Sequence, residues 1–355
     1  MIKRIARIRE ILKSIDADGI IAYSPENRRY LSGFTGSTGY VIISQKYAGF
    51  VTDFRYTEQA SSQCEGFEII KNESPLSEYL ANTIKKYGIS KMAYEDSYMT
   101  VGFYEQLKDK LNGIEMIPLK DAAGEIRIIK DDDELLNIKK AAAIADSAFT
   151  HILKLIKPGI SEQDISLELE YYMRKNGASG NSFDSIVASG LRSSLPHGIA
   201  TEKEINNGDL LTLDFGCVYN GYCSDMTRTI VVGKASEEQK KIYNIVLNAQ
   251  TEALLHIKSG VLGKDIDKIA RDIISKAGYG DNFGHGLGHG VGLAVHEEPR
   301  LSLLGERVLE KNMVVTNEPG IYIPGFGGVR IEDLVAVGDD GPVIYSKSPK
   351  ELIEL

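Results

Sequence analysis

The sequence predicts an α/β protein of two domains, the second folded from two related halves. Three observations lead there. The chain has 355 residues, more than one ordinary domain of ~100–200 residues holds. Its first part alternates helical and strand-like patterns, the signature of an α/β layer. Its second part repeats itself at a fixed offset.

In the first part, Ile5, Ile8, Ile11 and Leu12 form a helical stripe that stops near Asp18-Gly19. Strands are expected at 19–23, 39–44 and 48–52, and a helix at 79–87 closed by Gly88, where a C-cap glycine belongs. The acidic run Asp131-Asp132-Asp133-Glu134 then opens a long helix, since carboxylates favour a helix N-terminus. Its acids read as solvated, so lysine at Asp131 or Asp132 is expected to disturb no chemistry. A boundary near residue 125 gives domains 1–125 and 126–355.

Ala148, Thr150, Leu153, Ile156, Lys157, Gly159, Asp164, Ile165, Lys175 and Gly177 each recur 101 residues later, from Ala249 to Gly278. Each copy reads as helix, glycine-containing turn, and a second helix closed by glycine. Two copies are too few for a solenoid. They fit a pseudo-two-fold domain with one site between its halves.

A hairpin follows each copy. Leu211-Thr212-Leu213-Asp214-Phe215-Gly216 resembles Val315-Thr316-Asn317-Glu318-Pro319-Gly320, which makes Asp214 and Glu318 equivalent. Asn220-Gly221 is a strong two-residue turn signal. That turn pairs 219 with 222, 216 with 225 and 214 with 227. Asp225 then lies diagonally from Asp214 on one face, ~7–8 Å away. Glu318 and Glu332 are symmetric about Gly325 and are candidate facing residues.

The flanks of these four acids are apolar, so carboxylates packed there repel one another unless a cation joins them. Carboxylate oxygens suit ions such as Mn²⁺, and an imidazole adds affinity for later transition metals. Candidate imidazoles sit in the run 284–292, where five of nine residues are glycine. His285 and His289 are four apart, but so many glycines disfavour a helix, and Gly286 stands where a zincin needs glutamate. His197 precedes the first hairpin and His296 the second, while His151 and His256 fall on the repeat helices as structural or surface residues.

Other classes recede. Net charge is −9 with a pI near 5.4, and no basic cluster suggests nucleic acid. No apolar run approaches the ~20 residues that span a bilayer. The first residues form no secretory signal, so a soluble, cytoplasmic protein is expected. Three cysteines, Cys64, Cys217 and Cys223, read as buried thiols rather than a disulfide framework.

Taken in order with their flanks, Asp214, Asp225, His289, Glu318 and Glu332 resemble the dimetal site of the proline-directed pita-bread metallopeptidases, among which aminopeptidase P and prolidase look most similar. The segment Tyr30-Leu31-Ser32-Gly33-Phe34-Thr35-Gly36-Ser37 is also similar to these enzymes. The resemblance implies a creatinase/prolidase-like N-terminal domain and a pita-bread catalytic domain. It implies two divalent ions per chain, Mn²⁺ with Co²⁺ or Zn²⁺ as substitutes. Asp214 would hold one ion, His289 and Glu318 the other, and Asp225 and Glu332 both. Glu318 would shuttle a proton; His197 and His296 would contact the substrate or intermediate. His285 would line the proline pocket, Arg330 would orient the carboxylates around the substrate, and Arg300 would meet a substrate carboxylate.

The expected activity is therefore hydrolysis of the bond before proline in a peptide, of aminopeptidase P type, by a homodimer. Prolidase is the alternative within the family, and Arg300 leans that way. A non-catalytic peptide-binding module on the same fold is the alternative of another class, but such relatives typically lose ligands and all five are present here.

Overall fold

The structure is a computed structural model describing residues 2–73, 75–119, 121 and 123–355. The chain divides into two compact units, Met1–Arg127 and Ile128–Leu355. The first opens with the helix Ile2–Ser14, which buries Ile5, Ile8 and Leu12 from the expected stripe. Its six-stranded sheet runs in the order Glu68–Lys71, Ala48–Thr52, Tyr40–Ser44, Gly19–Ala22, Lys91–Tyr94 and Glu115–Pro118. The central strands pair antiparallel and the flanking ones parallel. Ile21, Ile42, Val51 and Met92 from the sheet pack with Leu80 and Ile84 of the helix Leu76–Lys86.

The second unit contains the repeat. Helices Asp132–Ile152 and Glu162–Lys175 form one copy, Glu237–Leu254 and Gly263–Lys276 the other. The second helices of the two copies match residue for residue at the offset of 101. Gly159 and Gly260 share φ 89°, while Gly177 and Gly278 have φ 103° and 91°, so the turns repeat as the helices do. Ile156 and Ile165 sit in one core, and their counterparts Ile257 and Ile266 in another.

The first of these helices departs from its expected solvated start at one position. Asp131 caps it, accepting the Glu134 N–H at 3.0 Å while Glu134 accepts the Asp131 N–H at 2.9 Å. Such a reciprocal cap is worth ~1 kcal/mol, so Asp131 is structural and only Asp132 is a neutral surface control.

The first hairpin pairs Val218 with Cys223, Tyr219 with Tyr222, Phe215 with Met226 and Asp214 with Thr227. This is the register read from the Asn220-Gly221 turn, whose residues have φ 45° and 80°. The strand Val314–Asn317 pairs with Asp333–Val337, and Gly320–Ile323 with Gly327–Arg330. Both ladders are centred on Gly325. Among the described residues no helix is long and apolar enough to cross a membrane.

Candidate metal centre

Asp214 sits within the ladder of the first hairpin, whereas both hairpins lose their regular pairing at Asp225, Glu318 and Glu332. In the first, Gly216 and Asp225 fall in the gap between paired segments. A Cβ on Gly216 would stand 1.9 Å from the Ser224 carbonyl oxygen, so only glycine permits this approach. In the second, Glu318-Pro319 and Ile331-Glu332 form the gap.

The backbone groups released there bond to neighbouring elements. The Glu332 N–H donates to the Thr227 carbonyl at 3.0 Å, joining the two hairpins. The Glu318 N–H donates to the Leu287 carbonyl at 2.8 Å, joining the second hairpin to the glycine-rich run. That run holds no α-helix at His289. It forms the short strand Gly288–Gly290, and a Cβ on Gly288 would sit 2.1 Å from the Thr316 carbonyl oxygen.

The consequence is convergence. One ligand atom each from Asp225, His289 and Glu332 lies within 4.8 Å of the others. His289 Nε2 stands 3.6 Å from Asp225 Oδ2 and 3.4 Å from Glu318 Oε1. Asp214 is buried, with its Oδ2 accepting from Arg330 at 2.6 Å and its Oδ1 lacking any hydrogen bond.

This set fits a divalent cation. Burial pushes the His289 imidazole down from its ordinary pKa, favouring the neutral ring. Its Nδ1 lies 3.1 Å from the Gly290 carbonyl. A proton on Nδ1 satisfies that carbonyl and leaves the Nε2 lone pair facing two carboxylates. Burial and the other acids push Asp225 and Glu332 well above the usual carboxylate range; burial raises Glu318 as well. A lone pair facing mutually repelling buried acids, with an orphaned oxygen on the buried Asp214 besides, calls for positive charge.

Hydroxyls steady this arrangement. Thr227 Oγ1 donates to Glu332 Oε2 at 2.6 Å and accepts from Arg330 Nε at 3.0 Å. Thr316 Oγ1 donates to Glu318 Oε1 at 3.0 Å and accepts the His289 N–H at 3.1 Å. Sequence reasoning missed both threonines, although position 227 was already paired with Asp214. Thr316 precedes Glu318 by two, the strand spacing that shares a face. Tyr322 was also missed, and no local signal marks it. Its hydroxyl accepts from Arg330 at 2.8 Å and lies 2.9 Å from His285 Nε2.

Of the other expected residues, Arg330 is buried behind Asp214. His285 is partly buried, its Nδ1 2.8 Å from the Gly286 carbonyl. The His296 ring centroid lies 4.2 Å from that of His289. Burial chiefly holds the His285 and His296 pKa values down, and the exposed His197 is close enough to both to add to the effect. Arg300 is exposed and pairs directly with His289 across the strand ladder. His151 instead contacts Glu168 at 2.7 Å on the repeat helices, and His256 contacts the Glu252 carbonyl. All three cysteines are free and buried.

Residues 137–339 match the model of metallopeptidase family M24. The chain belongs to metallopeptidase family M24. Residues 4–129 match the creatinase/prolidase N-terminal domain. The chain is 41% identical to a Xaa-Pro dipeptidase of Pyrococcus horikoshii over 99% of both chains. Among solved structures, a Xaa-Pro dipeptidase from Bacillus anthracis is 50% identical with a TM-score of 0.98, covering 100% of this chain and 99% of its own. An X-Pro aminopeptidase from Thermotoga maritima is 37% identical with a TM-score of 0.92, covering 99% of this chain and 100% of its own. The family places this M24 protein among proline-directed pita-bread metallopeptidases, which are hydrolases that work with divalent metal.

The raised carboxyls of this M24 protein set a pH dependence. Their folded-state pKa values exceed the unfolded ones, so between the two the folded chain binds more protons. Stability then falls as pH rises through that window. After chelation, the wild-type Tm should therefore gain, relative to Asp225→Asn, as the pH is lowered from neutral toward the ordinary carboxylate range. Divalent metal should suppress the gain. Parallel melting curves for wild type and variant would count against the raised carboxyl.

Proposed function

We propose that this M24 protein is a Xaa-Pro dipeptidase that uses two divalent ions, manganese foremost, and acts as a cytoplasmic homodimer. The observation that carries the dipeptidase reading is the pairing of Arg300 with His289. Directly opposed residues share a sheet face with Cβ atoms ~4.5–5.5 Å apart. That register puts Arg300 on the metal-binding side of the ladder, where its guanidinium, now 3.5 Å from Glu298 Oε1, is suited to the free carboxylate that ends a dipeptide. The dipeptidases among its relatives support the same reading over the aminopeptidase P type expected from the sequence.

In this reading Asp214, Asp225, His289, Glu318 and Glu332 hold the ions. Bound there, they supply Lewis-acid activation of water and charge stabilisation at the scissile carbonyl. The chain's own groups do the remainder. Glu318 Oε1 is held by Thr316, leaving Oε2 to carry a proton to the proline nitrogen. His197 and His296 approach from the two loops as hydrogen-bonding groups for the peptide, and His285 borders the proline. Tyr322 accepts from Arg330, so its own proton points to His285 Nε2, which favours a neutral imidazole there.

Three substrates test this: an Xaa-Pro dipeptide, its C-terminal amide and an Xaa-Pro-Yaa tripeptide, beside alanine-for-proline controls. The free dipeptide should be cleaved best and the alanine peptides not at all. Arg300→Ala should lower kcat/KM for the free dipeptide by ~10–100-fold, the loss of one charged hydrogen bond, and barely affect the amide. Preference for the tripeptide, with Arg300→Ala neutral, would return the assignment to aminopeptidase P.

A further inference from the structure

Glu162 has no place in the metal centre, yet it is fully buried at the start of its helix. Both of its oxygens are spent on one loop. Ser189 donates its N–H and hydroxyl to Oε1, each at 2.8 Å. Thr201 donates its N–H at 3.2 Å and its hydroxyl at 2.8 Å to Oε2. Between them, Arg192 Nε reaches both oxygens at 3.3 and 3.1 Å. One carboxylate therefore gathers the entry, the middle and the exit of the segment 189–201.

That segment carries His197. Its tip is fixed to the site as well, because the Pro196 carbonyl accepts from Arg330 Nη1 at 3.3 Å while Nη2 of the same guanidinium binds Asp214. Ser193 Oγ accepts the Gly328 N–H at 2.8 Å, docking the loop on the second hairpin. Arg192 Nη2 also donates to the Ile199 carbonyl at 2.6 Å, closing the loop around the histidine. Among the described residues the His197 ring makes no hydrogen bond of its own, so the loop backbone alone aims it.

A plain scaffolding role for Glu162 predicts the same carboxylate in the other copy of the repeat. The equivalent position there is Gly263, which opens the matching helix without one. The helix pair does not require the charge, and burying an acid costs several kcal/mol unless its partners repay it. The partners here all belong to the His197 loop.

We infer that Glu162 is a positioning residue that holds His197 against the peptide to be cleaved. This rests on the reading of His197 as a substrate-contacting group, and the two claims fail differently. The experiment is a double-substitution cycle on the metal-loaded protein, with an Xaa-Pro dipeptide as substrate. His197→Ala alone should lower kcat by ~10²–10³ with metal retained. Glu162→Gln should lower kcat by ~10–100-fold, the usual scale for a group that orients another, with KM and metal content nearly unchanged. In the His197→Ala background the same substitution should change kcat by less than about threefold, because coupled groups are non-additive. A full kcat for Glu162→Gln, or an equal loss in both backgrounds, overturns the inference while leaving the role of His197 intact. A full kcat for His197→Ala overturns the underlying reading. Where Glu162→Gln fails to fold, Thr201→Val removes one loop donor and must show the same dependence on His197.

Discussion

Asp225→Asn is expected to abolish turnover and deplete bound metal. Asparagine keeps the shape of the side chain, so the hairpin register and the close approach at Gly216 survive. What disappears is one of the negative charges facing His289 Nε2. The remaining amide offers one weak neutral oxygen, and its N–H₂ points a donor at a site built from acceptors. Turnover should fall by at least ~10³, the upper scale for loss of a single charge-stabilising group. Stability of the metal-free chain should not fall, and above the ordinary carboxylate range it should rise, because a repelling charge has gone. Asp132→Lys, on an exposed helix start, should leave both properties alone. Elemental analysis beside initial rates decides the matter. Wild-type metal content with turnover within tenfold of wild type would remove Asp225 from the centre.

The largest stability effect is expected from Arg228→Leu. Arg228 is the largest fully buried side chain among the described residues, and all five of its N–H groups have acceptors. Nε donates to the Pro349 carbonyl at 3.0 Å, Nη1 to the Thr227 carbonyl at 2.9 Å and to that of Glu332. Nη2 donates to Asp333 Oδ1 at 2.8 Å and to the Ser348 carbonyl at 2.7 Å. Leucine would leave these acceptors buried without donors. Asp333 would keep only Gln250 and Lys350. Breaking a buried pair this way costs ~3–5 kcal/mol. At ~2–4 °C per kcal/mol for a unit of this size, Tm should drop by ~6–20 °C. Metal affinity should weaken too, since Arg228 grips the backbone of Thr227 and Glu332 where the two hairpins meet. Calorimetry with and without metal measures both effects. A loss under 1 kcal/mol would mean that water replaces the guanidinium at little cost.

Much of this protein was legible in its residue order. The two-residue turn at Asn220-Gly221 determined the first hairpin's register, because strand pairing alternates with a period of two and cannot slip without exposing an apolar face; symmetry about Gly325 made Glu318 and Glu332 candidate partners in the second, a register the structure then fixed. Those registers brought Asp214 beside Thr227 and Glu318 level with Glu332. The density of glycine around His289 excluded a helix by local propensity alone. The repeat announced the paired helices, down to matching positive-φ glycines. Each of these signals lies within one hairpin, one turn or one helix pair, where spacing along the chain becomes distance in space.

The contacts between such pieces were decided elsewhere. That Thr227 hydrogen-bonds Glu332, that Arg330 lies behind Asp214 and that Glu162 reaches the loop of His197 depend on how separate elements cross. Residues 105, 116 and 35 positions apart have no periodicity that relates them. Their meeting follows from packing two helix pairs over the hairpins, where Ile156 and Ile165 join one core and Ile257 and Ile266 another, since interiors pack at close to crystal density. The sequence alone singled out the acids and histidines that could bind a cation and the hairpins that would carry the acids. Only the tertiary structure decided what holds each of them in place, because a buried polar group takes its partner from whatever the core packing brings within ~3 Å.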